Sequence, residues 1–292
     1  MNFLESIAET QELVSLPTVA TKVLSMLEKD EVDIREISKH IESDASITMK
    51  ILRLANSPMF ALRSPVSSIN QAILTIGLNR VTNIVLGVSI FSKFVYLSRS
   101  SAAQFVDKFW QHSAATASVA KALSTKLRKN FQDAEFLGGL IHDIGKLAML
   151  QHDAELFVKV DKQIIDEQAN DGEVERTSFG ASHSEAGNVI GRMWKLPDAL
   201  NSVIAYHDNI SEAPAEHKGV VSVVRFADIL CEQWGTGIGE NVQSIEIQND
   251  ISWKNLCSLY PELSSVNVTE LCSELEQDYK KASQTLTSML SD

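Results

Sequence analysis

The 292-residue sequence predicts an all-α protein, two-lobed, with an N-terminal helical bundle, a second helical domain and a helical C-terminal extension. Apolar residues recur three and four apart in nearly every segment, the spacing that lines one side of a helix. Prolines 58, 65, 197 and 214 fall between such segments, where a helix must stop. No β-rich segment, internal repeat or low-complexity tract interrupts the pattern. With 44% hydrophobic residues the chain can bury a real core. The divisions expected are 1–95, 96–235 and 236–292.

In the first division a helix follows Pro17, with Val19, Val23, Leu24 and Leu27 on its apolar side and a break near Lys29-Asp30-Glu31. Asp33, with Glu36 three residues on, is placed to cap a second helix striped by Ile34, Ile37 and Ile41. A third begins at Asp44-Ala45-Ser46 and stops at Asn56-Ser57-Pro58, read as a helix stop and turn. Ser68 should cap the helix through Ile76. After Gly77, the run through Val81, Ile84, Val85, Val88 and Phe91 is apolar all round, which marks the centre of a core.

The polar, small stretch Tyr96–Ala103 is the first boundary. A long helix bearing Phe105, Phe109, Trp110, His112, Val119 and Leu123 follows. Then comes the most informative stretch, Glu135–Met149, read as one helix, apolar on nearly every face yet carrying His142 and Asp143 side by side. Burying an imidazole and a carboxylate without partners costs several kcal/mol. A divalent metal would satisfy both, since imidazole supplies a nitrogen and carboxylate an oxygen. The alternative is that the two bond each other and cap a neighbouring helix. His112 and Asp228 are also polar within apolar-rich helices, and they extend the set to the order His, His-Asp, Asp.

Further along, Glu155–Glu167 is amphipathic, with His152 and Lys162 facing solvent. Ser182-His183-Ser184-Glu185 has the capping-box pattern of a helix running to Trp194. Lys195-Leu196-Pro197 ends that helix and opens the next, which leads to His207. Gly235–Gly239 lacks the lysine and the strand of a phosphate-binding loop and reads as a turn. No Gly-x-Ser-x-Gly elbow supports a Ser/His/Asp hydrolase. The final segment carries Trp253 and Cys257, then a helix with Val268, Leu271 and Leu275, packed on the body or used for homodimerisation.

A net charge of −12 opposes nonspecific binding to nucleic acid or to an anionic membrane. Cys231, Cys257 and Cys272, an odd number at wide spacings, fit reduced thiols. The N-terminus lacks a secretory pattern and no apolar run approaches the roughly 20 residues of a membrane span, so a cytoplasmic protein is expected.

The order His112, His142-Asp143, Asp228 resembles the HD superfamily of metal-dependent phosphohydrolases, and His142-Asp143-Ile144-Gly145-Lys146 is similar to the form found in HD-GYP and HDOD proteins. Leu16-Pro17, Ser43–Ser57 and Ser68–Leu78 resemble the N-terminal half of the HDOD family, with Ala45 where that family usually carries a proline. His183 through Trp194–Pro197 to His207 is similar to its distal segment. The resemblance implies one or two divalent ions, of iron, manganese, nickel or zinc, held by His112, His142, Asp143 and Asp228. His183 and His207 would hold the second ion, bridged by Asp143, and Lys146 would steady a phosphate oxygen, making Asp143 and Lys146 the catalytic candidates. It implies a signal-transduction module acting on a regulatory protein partner or a nucleotide, with phosphoester hydrolysis the alternative. His207 is followed by Asp208 where metal-binding relatives often have a second histidine. Asp208 reads as a solvated helix-end carboxylate or, failing that, an oxygen ligand. Nothing beyond it resembles the Gly-Tyr-Pro signature, which disfavours cyclic di-GMP hydrolysis.

Overall fold

The computed structural model describes residues 2–10, 16–27, 31–57, 62–94, 103–238, 242 and 245–291, with side chains through residue 280. Pro58, the break at 28–30, residues 96–102 of the expected boundary and Gly239 lie outside the described residues. The chain is 78% helical, with no strand among the described residues. In order the helices are α1 (Phe3–Glu9), α2 (Thr18–Leu27), α3 (Ile34–Glu42), α4 (Ala45–Ala55), α5 (Ile69–Ile76), α6 (Leu78–Phe94), α7 (Ala103–Lys126), α8 (Ala134–Ile141) and α9 (Ile144–His152). They continue as α10 (Ala154–Glu167), α11 (Asp171–Phe179), α12 (His183–Met193), α13 (Asp198–Tyr206), α14 (Lys218–Cys231), α15 (Ile251–Leu259) and α16 (Val268–Ser291).

The chain forms two compact units, one of Leu16–Val95 with Ala282–Asp292, the other of Met1–Ser15 with Tyr96–Lys281. Two placements differ from the expected divisions. The first fifteen residues join the second unit, where the ring of Phe3 on α1 packs 5.0 Å from His152 and 5.5 Å from Phe179. Residues 236–281 belong to that same unit, because Trp253, Leu256, Leu271 and Leu275 complete its core against Val220, Val224 and Phe226 of α14.

In the smaller unit, side chains of Asp33, Asp44 and Ser68 accept from backbone N–H groups at the starts of α3, α4 and α5, as their positions before apolar stripes predict. Asn56 turns the chain after α4 by pairing with both the N–H (2.7 Å) and the C=O (2.9 Å) of Val66. Every residue from Val81 to Phe91 on α6 is buried.

The larger unit carries the polar residues singled out above, and close backbone crossings position them. A methyl group at Gly139 on α8 would lie 2.8 Å from Cα of Ala117, so only glycine lets α8 lie this close to α7. At Gly145 on α9 a Cβ would overlap the carbonyl of His183 and sit 2.8 Å from N of Gly187, so α9 and α12 meet through bare backbone. The expected single helix over Glu135–Met149 is instead two, with the break at His142-Asp143. Asp143 leaves helical geometry (φ −94°, ψ 13°), and the chain restarts at Ile144. A continuous helix would send neighbouring side chains about 100° apart. The break is where both turn into one cluster.

Candidate metal centre

Six side chains from five places in the larger unit converge. His112 comes from the middle of α7, His142 and Asp143 from the α8–α9 break, His183 from the first turn of α12, His207 from the C-terminus of α13 and Asp228 from α14. All are at most 1% exposed. The capping box of Ser182 and Glu185 sets the start of α12, and with it the entry of His183. Lys195-Leu196-Pro197 makes the turn that folds α13 back on α12, so His183 and His207 meet with their Nε2 atoms 3.3 Å apart.

The cluster has two halves that share Asp143. In the proximal half, His112 Nε2 lies 3.3 Å from His142 Nε2 and 3.1 Å from Asp228 Oδ1, and Asp143 Oδ2 lies 3.4 Å from His142 Nε2. In the distal half, Asp143 Oδ1 lies 3.2 Å from His183 Nε2 and 3.4 Å from His207 Nε2. Asp208, expected to be a solvated carboxylate, instead turns inward and places Oδ2 3.0 Å from His183 Nε2, with 29% of its side chain exposed. Arg225 Nη1 donates to Asp228 Oδ2 at 2.6 Å and lies 3.3 Å from Asp208 Oδ1.

The outer contacts assign protons. His142 Nδ1 lies 2.9 Å from the carbonyl of Gly139, and His207 Nδ1 3.1 Å from those of Val203 and Ile204. A carbonyl only accepts, so Nδ1 carries the proton in both rings. His183 Nδ1 meets Glu175 Oε2 at 2.7 Å, and the same logic applies. In the neutral form each ring therefore aims an Nε2 lone pair inward, at other lone pairs and at carboxylate oxygens. Both oxygens of Asp143, Oδ1 of Asp228 and Nδ1 of His112 are buried without a hydrogen-bond partner. Such an arrangement costs several kcal/mol unless positive charge enters it.

A divalent ion fits the donor set. Ligand atoms about 2.1 Å from a common centre lie about 3.0–3.4 Å from one another, close to the separations in each half. His112 with His142 and Asp228, His142 with Asp143 and His207, and His183 with His207 and Asp208 each bring ligand atoms within 4.8 Å of one another. Structural metal sites bind with roughly 10 kcal/mol or more, enough to offset the burial.

Without an ion, protons supply the charge. Burial would lower the His183 imidazole, but Glu175, Asp208 and Asp143 outweigh it and hold its pKa well above the usual histidine value. Against the same burial, Asp208 and Asp143 raise His207. For the aspartates burial pushes upward, yet His142, Lys146 and His183 hold Asp143 well below the carboxylate range. His207 and His183 do so for Asp208, and contact with His112 and His142 does so for Asp228.

Lys146 is buried, with Nζ donating to Asp171 Oδ2 at 2.9 Å. A cavity of about 660 Å³ opens beside the cluster, and Asp208 and Arg225 belong to its wall along with Asp171, Arg176, Ser184 and Tyr206. Arg225 and Arg176 are thus cations of that wall, and Lys146 is not. No motif in the sequence pointed to Glu175 or Arg225, and Asp208 read as a solvated carboxylate before an oxygen ligand. The only available signals were the position of Asp208 next to His207 and that of Arg225 three residues before Asp228.

The HDOD domain model matches residues 13–210. An uncharacterized protein of Treponema pallidum is 22% identical over 218 residues, 75% of this chain but 42% of its own length, so the chain spans under half of that relative. Among solved structures, an HDOD domain protein of unknown function from Geobacter sulfurreducens superposes with a TM-score of 0.70 at 23% identity, over 94% of this chain and 96% of that one. A candidate phosphohydrolase from Shewanella amazonensis gives 0.71 at 18% identity, covering 99% and 98%. A candidate signal transduction protein from Marinobacter aquaeolei gives 0.74 at 20%, covering 98% of this chain and 61% of that one. At these identities the solved structures establish the fold. No helix among the described residues is long and apolar enough to cross a membrane. The domain match covers more than half of the sequence, and the chain belongs to the HDOD family.

Proposed function

We propose that this HDOD protein is a metal-dependent phosphohydrolase whose dinuclear centre serves signal transduction. The observation that carries the reading is Asp143, whose two unpartnered oxygens face two separate histidine pairs. His112, His142 and Asp228 would hold one ion, His183 and His207 the other, and Asp143 would bridge them. Divalent ions there supply Lewis-acid polarisation of a phosphoryl oxygen and activate water near neutral pH. The protein's part is to fix the ligands. Gly139 O, Glu175 and the carbonyls of α13 hold the Nδ1 protons, so each ring presents Nε2. Arg225, at the cavity wall, holds Asp228 and Asp208 and would add positive charge where a phosphate enters. Lys146 acts from behind, holding Asp171 beside His183.

Iron and manganese suit this mixed nitrogen and oxygen set, with zinc and nickel as competitors. The test is hydrolysis of bis(p-nitrophenyl) phosphate, p-nitrophenyl phosphate and common nucleotides by protein loaded with manganese or iron. Turnover that disappears in Asp143→Asn is the expected result. A loaded protein that binds two ions yet hydrolyses none of these would refute phosphoester hydrolysis.

A second reading follows from the burial of all six ligands and from the pairing of Asp208 with Arg225 across the mouth of the centre. A closed centre suits a regulatory module in which metal or nucleotide occupancy is the signal and a protein partner the output. Loaded protein without turnover but with altered partner capture on metal removal would favour it.

A further inference from the structure

Two carboxylates stand in matching places. Asp228 puts Oδ1 3.1 Å from His112 Nε2 and 3.5 Å from His142 Nε2. Asp208 puts Oδ2 3.0 Å from His183 Nε2 and 3.5 Å from His207 Nε2. Each half of the cluster therefore has two imidazoles, a share of Asp143 and one carboxylate of its own. The outward oxygens of both carboxylates meet one atom, Arg225 Nη1, at 2.6 Å from Asp228 Oδ2 and 3.3 Å from Asp208 Oδ1.

Resting on the two-ion reading above, we infer that Asp208 is the terminal carboxylate ligand of the distal ion, and that Arg225 is a positioning residue tying it to Asp228, its counterpart at the proximal ion. A carboxylate that hydrogen-bonds outward through one oxygen keeps the other aimed at the ion, the arrangement by which outer contacts tune metal affinity. Ser184 Oγ also donates to Asp208 Oδ2 at 2.8 Å, which leaves that oxygen a further lone pair for a metal. The two halves differ in access. Asp228 is wholly buried, whereas 29% of the Asp208 side chain is exposed and lines the cavity. The distal ion is accordingly the more weakly held of the two and exchanges through the cavity, while the proximal ion fills first.

The test is equilibrium dialysis of the metal-stripped 292-residue chain against Mn²⁺, with bound metal counted by mass spectrometry and far-ultraviolet circular dichroism as a check on folding. The native protein should bind two ions in separable steps. Asp208→Asn should weaken the looser step by at least the roughly 10–100-fold lost when only a ligand's support is removed, and leave the tighter step unchanged. Asp208→His should restore the second step with a preference moved from manganese towards zinc, since imidazole suits the softer ion. Arg225→Gln should weaken both steps, and Arg225→Lys should recover part of the loss, which a merely structural role would not produce. Two ions bound by Asp208→Asn with native constants would overturn the assignment and leave the two-ion reading intact. Fewer than two ions on the native protein would overturn the two-ion reading itself.

Discussion

His183 Nδ1 and Glu175 Oε2 lie 2.7 Å apart, both wholly or almost wholly buried, and that contact leaves Nε2 of His183 as the nitrogen that faces Asp143. A carboxylate behind a ligating imidazole raises its basicity and fixes its rotation. Glu175→Gln keeps an acceptor at the same place but removes the charge. Metal affinity at the distal half should fall by about 10–100-fold, with helix content unchanged. Dialysis against manganese measures it, and native affinity in this variant would show that Glu175 merely fills space.

Gly145→Ala tests the closest crossing. The added Cβ would overlap the carbonyl of His183, and backbone cannot step aside as a flexible side chain can. We expect a loss of about 3 kcal/mol, the upper end of ordinary overpacking, together with a displaced His183. Urea denaturation gives the first figure and metal binding the second. A variant as stable as the native protein would mean that α9 and α12 separate easily.

Much of the site was legible in the sequence because the relevant residues contradict their surroundings. His112, His142, Asp143 and Asp228 are polar in helices that are otherwise apolar, and such residues are buried with partners. His183 and His207 were candidates through the resemblance to two-metal HD relatives, and the capping box and the Pro197 turn gave only their places on the helices. What stayed hidden depended on packing between elements. Glu175 sits on the polar helix α11 beside Glu173, and nothing local distinguishes the buried acid from the exposed one. Asp208 follows a helix end, where solvated carboxylates are ordinary, and contacts from other elements, Arg225 of α14 and Ser184 of α12, turn it inward. The break at His142-Asp143 escaped because no proline or chain of turn formers marks it. The backbone pays for it through the close crossings at Gly139 and Gly145 on either side.

The metal-free protein should respond to pH in a way that follows from its charge pairs. His183 and His207 have raised values, so the stability they contribute is fully present below the unfolded value of 6.5 and is lost as pH rises through the folded ones. Asp143, Asp208 and Asp228 have lowered values, so their contribution is present above the ordinary carboxylate value of 3.8 and is lost as pH falls through the folded ones. Metal-free protein should therefore melt at its highest temperature between these limits and weaken on raising the pH above 6.5. Metal binding should run the other way, strengthening over that same rise because ion and proton compete for the same Nε2 atoms. Melting scans with and without manganese across this range check both slopes. A metal affinity independent of pH there would contradict the proton assignments.

Removing the charge of Asp143 separates a metal ligand from a structural pair. The carboxylate's two oxygens face both halves of the cluster, and with the imidazoles neutral neither has a hydrogen-bond partner, so replacing the charge in that state orphans no donor. Asp143→Asn is isosteric and should abolish tight binding of both ions at once, whereas Asp228→Asn should affect chiefly the proximal one. In the absence of metal, and at a pH high enough that His183 and His207 are neutral and no imidazolium faces Asp143, the melting temperature of Asp143→Asn should stay within about 4 °C of the native protein, the shift that roughly 1 kcal/mol produces in a unit of this size. A pair that existed for stability would behave differently. Removing one member of a buried ion pair costs about 3–5 kcal/mol, which would lower the metal-free melting temperature by far more than 4 °C. A large fall with metal binding retained would sink the metal-centre reading and assign His142-Asp143 to the packing of α8 and α9.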